Sequence, residues 1–240
     1  MKKIFLLLVI SFIIVLSLKM NFVKDFQQGD LLIKIRLRTI QSGEKTYRSK
    51  SKIYDGAFLD ITGDDKKEII ILEGDKRVNG KKFIKIFDQG LNELVQAKDA
   101  TILNPSNFQV SDVNGDGVKE LSFYAYKKAL HHPVYAQRPF FYIIEGEELK
   151  PFWRGSRLSS PFTEFTFFDR DKDGRDELYS IEYTGDNRKR VKGYEWTGFG
   201  FEVFYQGEVY LHISNLRVED GDLSADFYGV GKMTIGGGIE

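Results

Sequence analysis

The sequence predicts an all-β fold: a propeller-like array of about four four-stranded antiparallel blades, closed into a ring or left open, preceded by an N-terminal hydrophobic helix. Three observations lead there. Phenylalanine and tyrosine number 20 and 12 against 3 methionines, a balance that suits sheets better than helix bundles. Short β-branched and aromatic runs alternate with turn residues along most of the chain. An acidic loop recurs three times between such runs, with starts about 52 and 57 residues apart.

The N-terminus stands apart. Met1-Lys2-Lys3 precedes an apolar run from Ile4 to Leu18, broken only by Ser11 and Ser17 and ended by Lys19. A basic start before an apolar run of about 15 residues describes a secretory signal, whereas a spanning helix uses about 20. Residues 1–24 are therefore expected to be a signal peptide or an uncleaved membrane anchor, engaging the membrane through residues 4–18. The lack of a polar, small-residue tail favours the anchor. Either form places residues 25–240, the expected β-propeller-like repeat domain, outside the cytoplasm, where calcium is abundant.

Bulk composition excludes several classes. The 35 basic and 35 acidic residues balance, so no global field favours nucleic acid, and none is expected as a partner. The chain has no cysteine. Disulfides, cysteine nucleophiles, thiolate zinc sites and a lipid-bearing N-terminal cysteine are thereby ruled out.

The repeat domain opens with "LLIKIRLRTI" and "KTYRSKSKIY", which read as a hairpin turning at Ser42-Gly43-Glu44. Three units follow. Each has an apolar lead-in ("GAFLD", "NFQVSD", "EFTFFD"), then the acidic loop, then a strand ("EIIIL", "ELSFYAY", "ELYSIEY"). A second strand comes next ("KKFIKIF", "RPFFYII", "RVKGYEW"), and after turn residues a third ("ELVQA", "ELKPFW", "FEVFYQ"). The C-terminal stretch reads as two or three strands turning at Asp220-Gly221, which could share a fourth blade with the N-terminal hairpin.

The loops carry the chemistry. "DITGDDKKEI" spans a loop at 60–68, "DVNGDGVKEL" one at 112–120 and "DRDKDGRDEL" one at 169–177. Oxygen side chains occupy positions one, three and five: Asp60, Thr62 and Asp64; Asp112, Asn114 and Asp116; Asp169, Asp171 and Asp173. Position nine is glutamate: Glu68, Glu120 or Glu177. Calcium takes six to eight oxygens at about 2.3–2.6 Å, and alternate residues of a tight loop can converge on one ion. The backbone carbonyl at position seven (Lys66, Val118, Arg175) can add a ligand. Glycine at position six (Gly117, Gly174) permits the positive φ of a sharp turn. The first loop has Asp65 there and Thr62 at position three, and is the weakest of the three. An EF-hand needs glutamate at position twelve. Ile71, Phe123 and Ser180 stand at that place, and the flanks are strands.

These loops, each between two apolar strands, resemble the calcium loop of FG-GAP/VCBS-type repeats, a group that includes the integrin α-subunit propeller. Asp112, Asn114, Asp116 and Glu120 fit the pattern, as do Asp169, Asp171, Asp173 and Glu177; Asp60, Asp64 and Glu68 fit in part. The resemblance implies blades with one calcium between a blade's first two strands, and binding or adhesion rather than catalysis. The Gly-Ala-Pro signature of that group is absent.

Other candidates are weaker. His131-His132 lie in an insertion read as a surface loop, a place for a partner contact rather than a metal. Trp153 and Trp196 could stack on sugar rings, although core packing is the simpler account. No Gly-x-Ser-x-Gly is present, and "GVGKMT" lacks the glycine and hydroxyl of a phosphate loop. The expected function is an exported, calcium-binding, non-catalytic module that binds protein or glycan at a bacterial cell surface. The alternatives are a glycan-active envelope enzyme and a structural subunit of an envelope complex.

Overall fold

The computed structural model describes residues 23–130 and 132–235, and every regular element among them is a strand. The expected hydrophobic helix, the run at 4–18 and His131 lie outside the described residues. Among those described, no helix is long and apolar enough to cross a membrane.

The strands form five antiparallel sheets, four of four strands and one of three; none is closed into a barrel among the described residues. Each follows chain order: β1 (Lys24–Gln28) to β4 (Lys45–Arg48), β5 (Ile53–Leu59) to β8 (Lys98–Asp99), β9 (Pro105–Ser111) to β12 (Glu148–Arg154), β13 (Phe162–Phe168) to β16 (Phe201–Gln206), and β17 (Ile213–Glu219) to β19 (Gly231–Thr234). Short hairpins allow that order, because antiparallel neighbours need only a few connecting residues. The N- and C-terminal strands do not share a blade as expected. Leu31–Ser42 breaks at residues 37–38 into β2 (Leu31–Arg36) and β3 (Thr39–Ser42), so the N-terminal segment completes a sheet alone. The C-terminal strands likewise form a sheet of their own.

The chain divides into two compact units: Met1–Phe58 with Lys67–Thr101, and Leu59–Lys66 with Ile102–Glu240. In the first, Ile33, Ile35 and Ile40 of the first sheet meet Ile69, Ile71 and Phe87 of the second, all fully buried. In the second, Tyr124 and Phe141 of the third sheet pack against Phe165, Leu178 and Tyr194 of the fourth. Tyr179, Ile181 and Val191 then pack against Ile213, Leu223 and Ala225 of the last sheet. Burying one such side chain contributes about 1.5–3 kcal/mol. The strand leaving each acidic loop, β6 (Glu68–Gly74), β10 (Glu120–Ala129) or β14 (Glu177–Tyr183), is covered on both faces over most of its length. That is why "EIIIL" and "ELSFYA" read as continuous runs instead of alternating.

Two further expectations are corrected. "ELVQA" is not a strand beyond a single bridge from Glu93 to Phe87; the edge strand comes later, as β8. From His132 onward the insertion is strand rather than loop. β10 and β11 (His132–Glu145) run on past their sheet as one hairpin arm, closing with the pair Ala129–His132. Buried Arg138 fastens its base by donating to the backbone carbonyls of Lys127, His132, Val134 and Ser156.

Candidate metal centre

The three acidic loops share one construction. The position-one aspartate turns back onto the loop's own backbone. Asp60 accepts N–H bonds from Gly63, Asp64 and Asp65 at 2.7, 3.1 and 3.2 Å. Asp112 accepts from Gly115 and Gly117 at 2.7 and 2.8 Å. Asp169 accepts from Asp173 and Gly174 at 3.2 and 3.0 Å. At position five, Asp64, Asp116 and Asp173 accept the N–H of Lys66, Val118 and Arg175 at 3.0, 2.8 and 2.8 Å. A short carboxylate reaches the backbone two residues on, which is why aspartate favours such turns. Position six is left-handed in each, with φ of 64° at Asp65, 83° at Gly117 and 89° at Gly174. Aspartate tolerates that region better than most residues, so the first loop keeps its turn. The side chains of Lys66, Val118 and Arg175 are exposed, leaving only their backbone to the loop interior.

The position-nine glutamate closes the second and third loops identically. Glu120 accepts the N–H of Val113 at 3.0 Å, and Glu177 that of Arg170 at 3.0 Å. In the second loop Asn114 also donates to Asp116 at 2.9 Å. Glu120 is only 1% exposed, and its Oε1 has no hydrogen-bond partner. Ser111, directly across from it in the β9–β10 register, has a buried, unpartnered hydroxyl as well. An orphaned buried carboxylate oxygen is costly unless something neutralises it. Burial first, and then the charges of Asp112 and Asp116, push the Glu120 carboxyl up to about 7, against the bond from Val113.

In the third loop, one carboxylate oxygen from each of Asp169, Asp171 and Asp173 lies within 4.8 Å of the others. Burial raises Glu177, and the charge of Asp171 adds to it. Arg175 stands 3.9 Å from Asp173, with both side chains exposed, a pairing worth little. Asp60, Thr62, Asp64 and Lys66 belong to the second unit and Glu68 to the first. Lys66 Nζ lies 3.5 Å from Asp64 and supplies cationic charge of its own. The backbone N–H of Lys66 is the main cause holding Asp64 below the usual carboxylate range. The donor set in all three loops is oxygen, hard and without nitrogen or sulfur, which suits calcium rather than a transition metal. The second and third loops fit such an ion best.

The raised Glu120 carries a prediction for the metal-free protein. A carboxyl whose folded value, about 7, exceeds its ordinary 4.5 holds its proton more tightly when folded. Its contribution to stability is then present at low pH and is lost as pH rises from about 4.5 to about 7. Melts in chelator at about pH 5 and about pH 8 should show this loss, and Glu120→Gln should flatten it. An unchanged pH slope in the variant would remove Glu120 as its source.

A second set of buried charges escaped the sequence reading. Five residues after the closing glutamate, Glu73 and Glu182 are 5% and 0% exposed. Each is bound by a lysine of the next strand and a serine of the segment entering its sheet. Glu73 meets Lys85 at 3.8 Å and accepts from Ser49. Glu182 meets Lys192 at 3.1 Å, and accepts from Ser180 at 2.9 Å, Ser159 at 3.1 Å, the Ser160 N–H at 2.9 Å and Tyr194. The third sheet has Ala125 and Phe140 at the corresponding places. Lys192 Nζ also lies 2.6 Å from the Ser159 hydroxyl, which superficially suggests a nucleophile and its base. The lysine, however, is ion-paired with Glu182, and the Ser159 and Ser160 N–H groups are spent on Tyr194 and Glu182. No backbone donor of this pair is left for an oxyanion. The network ties the entering segment to its sheet.

Trp153 and Trp196 are partly buried and meet edge to face at 6.2 Å within a cluster that includes Phe141, Phe152 and Phe201. Packing between sheets occupies both rings. His132 Nδ1 faces the Arg138 guanidinium at 3.1 Å, with no acidic partner in that contact. No protein-family model matches this sequence, and no curated protein does.

Proposed function

We propose that this chain is an exported calcium-binding repeat protein that presents its blade-like sheets to a protein or glycan at the cell surface, without catalysis. The carrying observation is the unpartnered, buried Oε1 of Glu120 beside Asp112 and Asp116. Calcium would be held by Asp112, Asn114, Asp116, Glu120 and the Val118 carbonyl in the second loop. In the third it would be held by Asp169, Asp171, Asp173, Glu177 and the Arg175 carbonyl. Bound there, the ion supplies positive charge that lets crowded carboxylates stay ionised and holds the flanking strands in register. The resemblance to FG-GAP/VCBS-type repeats supports the same assignment, and the apolar run at 4–18 supports export, with tethering if it is retained.

The hairpin arm is the surface best suited to the partner. Leu130 is 88% exposed and Val134 51%, beside the stacked rings of Tyr126 and Tyr135. Clustered exposed apolar side chains mark interaction sites more often than scattered ones do.

Calcium titration of chelator-stripped protein tests the metal assignment. Two saturable sites are expected, with Glu120→Gln removing one and Asp171→Asn weakening the other. Magnesium should bind more weakly, because it demands a stricter octahedron. Uptake that is non-saturable, or unchanged in both variants, would sink the proposal.

A further inference from the structure

The second and third loops touch, and they do so through a residue assigned to neither metal shell. Asp176 stands at position eight of the third loop, between Arg175 and the closing Glu177. Its backbone N–H donates to the Asp112 carbonyl at 2.8 Å. Its carboxylate accepts the Asp112 N–H at 2.8 Å. Both backbone groups of the second loop's position-one ligand are thus held by one residue of the third loop. A second contact reinforces the first. The Arg175 side chain lies over Gly115, where an added Cβ would come within 2.7 Å of its Cγ. The corresponding residue of the second loop is Lys119, whose stem approaches Gly63 of the first loop but carries no acceptor. The two-bonded clamp therefore belongs to the second and third loops.

We infer that Asp176 is a positioning residue for the second loop's metal site, and that it couples the two sites so that calcium in the third loop strengthens binding in the second. The inference rests on the calcium reading above. Its physical basis is that ordering Arg175 to Glu177 around one ion fixes the carboxylate and N–H that orient Asp112. The second site then loses less conformational freedom on binding. Linkage makes the effect reciprocal.

The test is a double-mutant cycle read by calcium calorimetry on stripped protein. In one arm the third loop is disabled by Asp171→Asn with Asp173→Asn; in the other Asp176→Ala is added. Disabling the third loop should weaken the second site about tenfold when Asp176 is present, a coupling of ordinary size. In the Asp176→Ala background the same change should matter less than about twofold. Asp176→Asn, which keeps an oxygen acceptor, should restore the coupling, whereas a merely structural role would weaken the second site equally with the third loop intact or disabled. Amide exchange at Asp112 in the metal-free protein should quicken in Asp176→Ala, giving a readout that needs no metal. A second site whose affinity ignores the third loop, with Asp176 intact, overturns the inference and leaves the calcium reading standing. A chain that takes up no calcium overturns both.

Discussion

Saturating calcium should raise the melting temperature of the stripped protein by about 10–20 °C. A ligand at a hundred times its dissociation constant stabilises the folded state by about 2.7 kcal/mol per site, so two sites supply about 5 kcal/mol. For a folded unit of about 150–250 residues each kcal/mol moves the midpoint by about 2–4 °C. The shift belongs to the melting of the second unit, which holds the whole of the second and third loops. Scanning calorimetry in excess chelator and in excess calcium measures it, with Glu120→Gln expected to remove about half. A midpoint that ignores the ion would mean that the hydrogen bonds of Asp112 and Asp169 to their own backbones suffice to hold these loops.

Glu182→Ala should cost about 3–5 kcal/mol, the usual result of deleting one member of a buried, bonded ion pair. The substitution strands the Lys192 ammonium, 10% exposed, and leaves Ser180 and the Ser160 N–H without their acceptor. Urea denaturation at constant slope gives the number. Replacing both charges, as Glu182→Leu with Lys192→Met, should recover most of the loss. The third sheet already works without this pair, having Ala125 and Phe140 in the same register. A loss below about 1 kcal/mol for the single change would show that Lys192 finds water instead.

The loops were legible because their signal is local. Alternate oxygens, a turn at position six and a glutamate at nine act within nine residues, and the positive φ at Asp65, Gly117 and Gly174 followed from that spacing. Strand order was legible where turn residues stand between apolar runs. It failed at "ELVQA", where pattern suggested a strand but pairing begins only at Lys98. Glu73 and Glu182 were passed over because charges in a strand ordinarily mark its wet face. β6 and β14 have no wet face over most of their length, and only the packing of neighbouring sheets reveals it. The Asp176 clamp was equally hidden, since it joins residues 64 apart in sequence.

The arm has one more consequence. β9 accompanies β10 only as far as Ala125, and β12 accompanies β11 only from Phe140 onward. Between those limits the two strands have ladder neighbours only in each other, so their outer rims carry backbone donors and acceptors that a strand from another molecule could occupy. Lys127 and Lys128 put charge along one rim, and Pro133, which has no N–H to offer, interrupts the other. The short ribbon proposed above as the partner surface thus carries the features by which edge strands discourage pairing with their own copies.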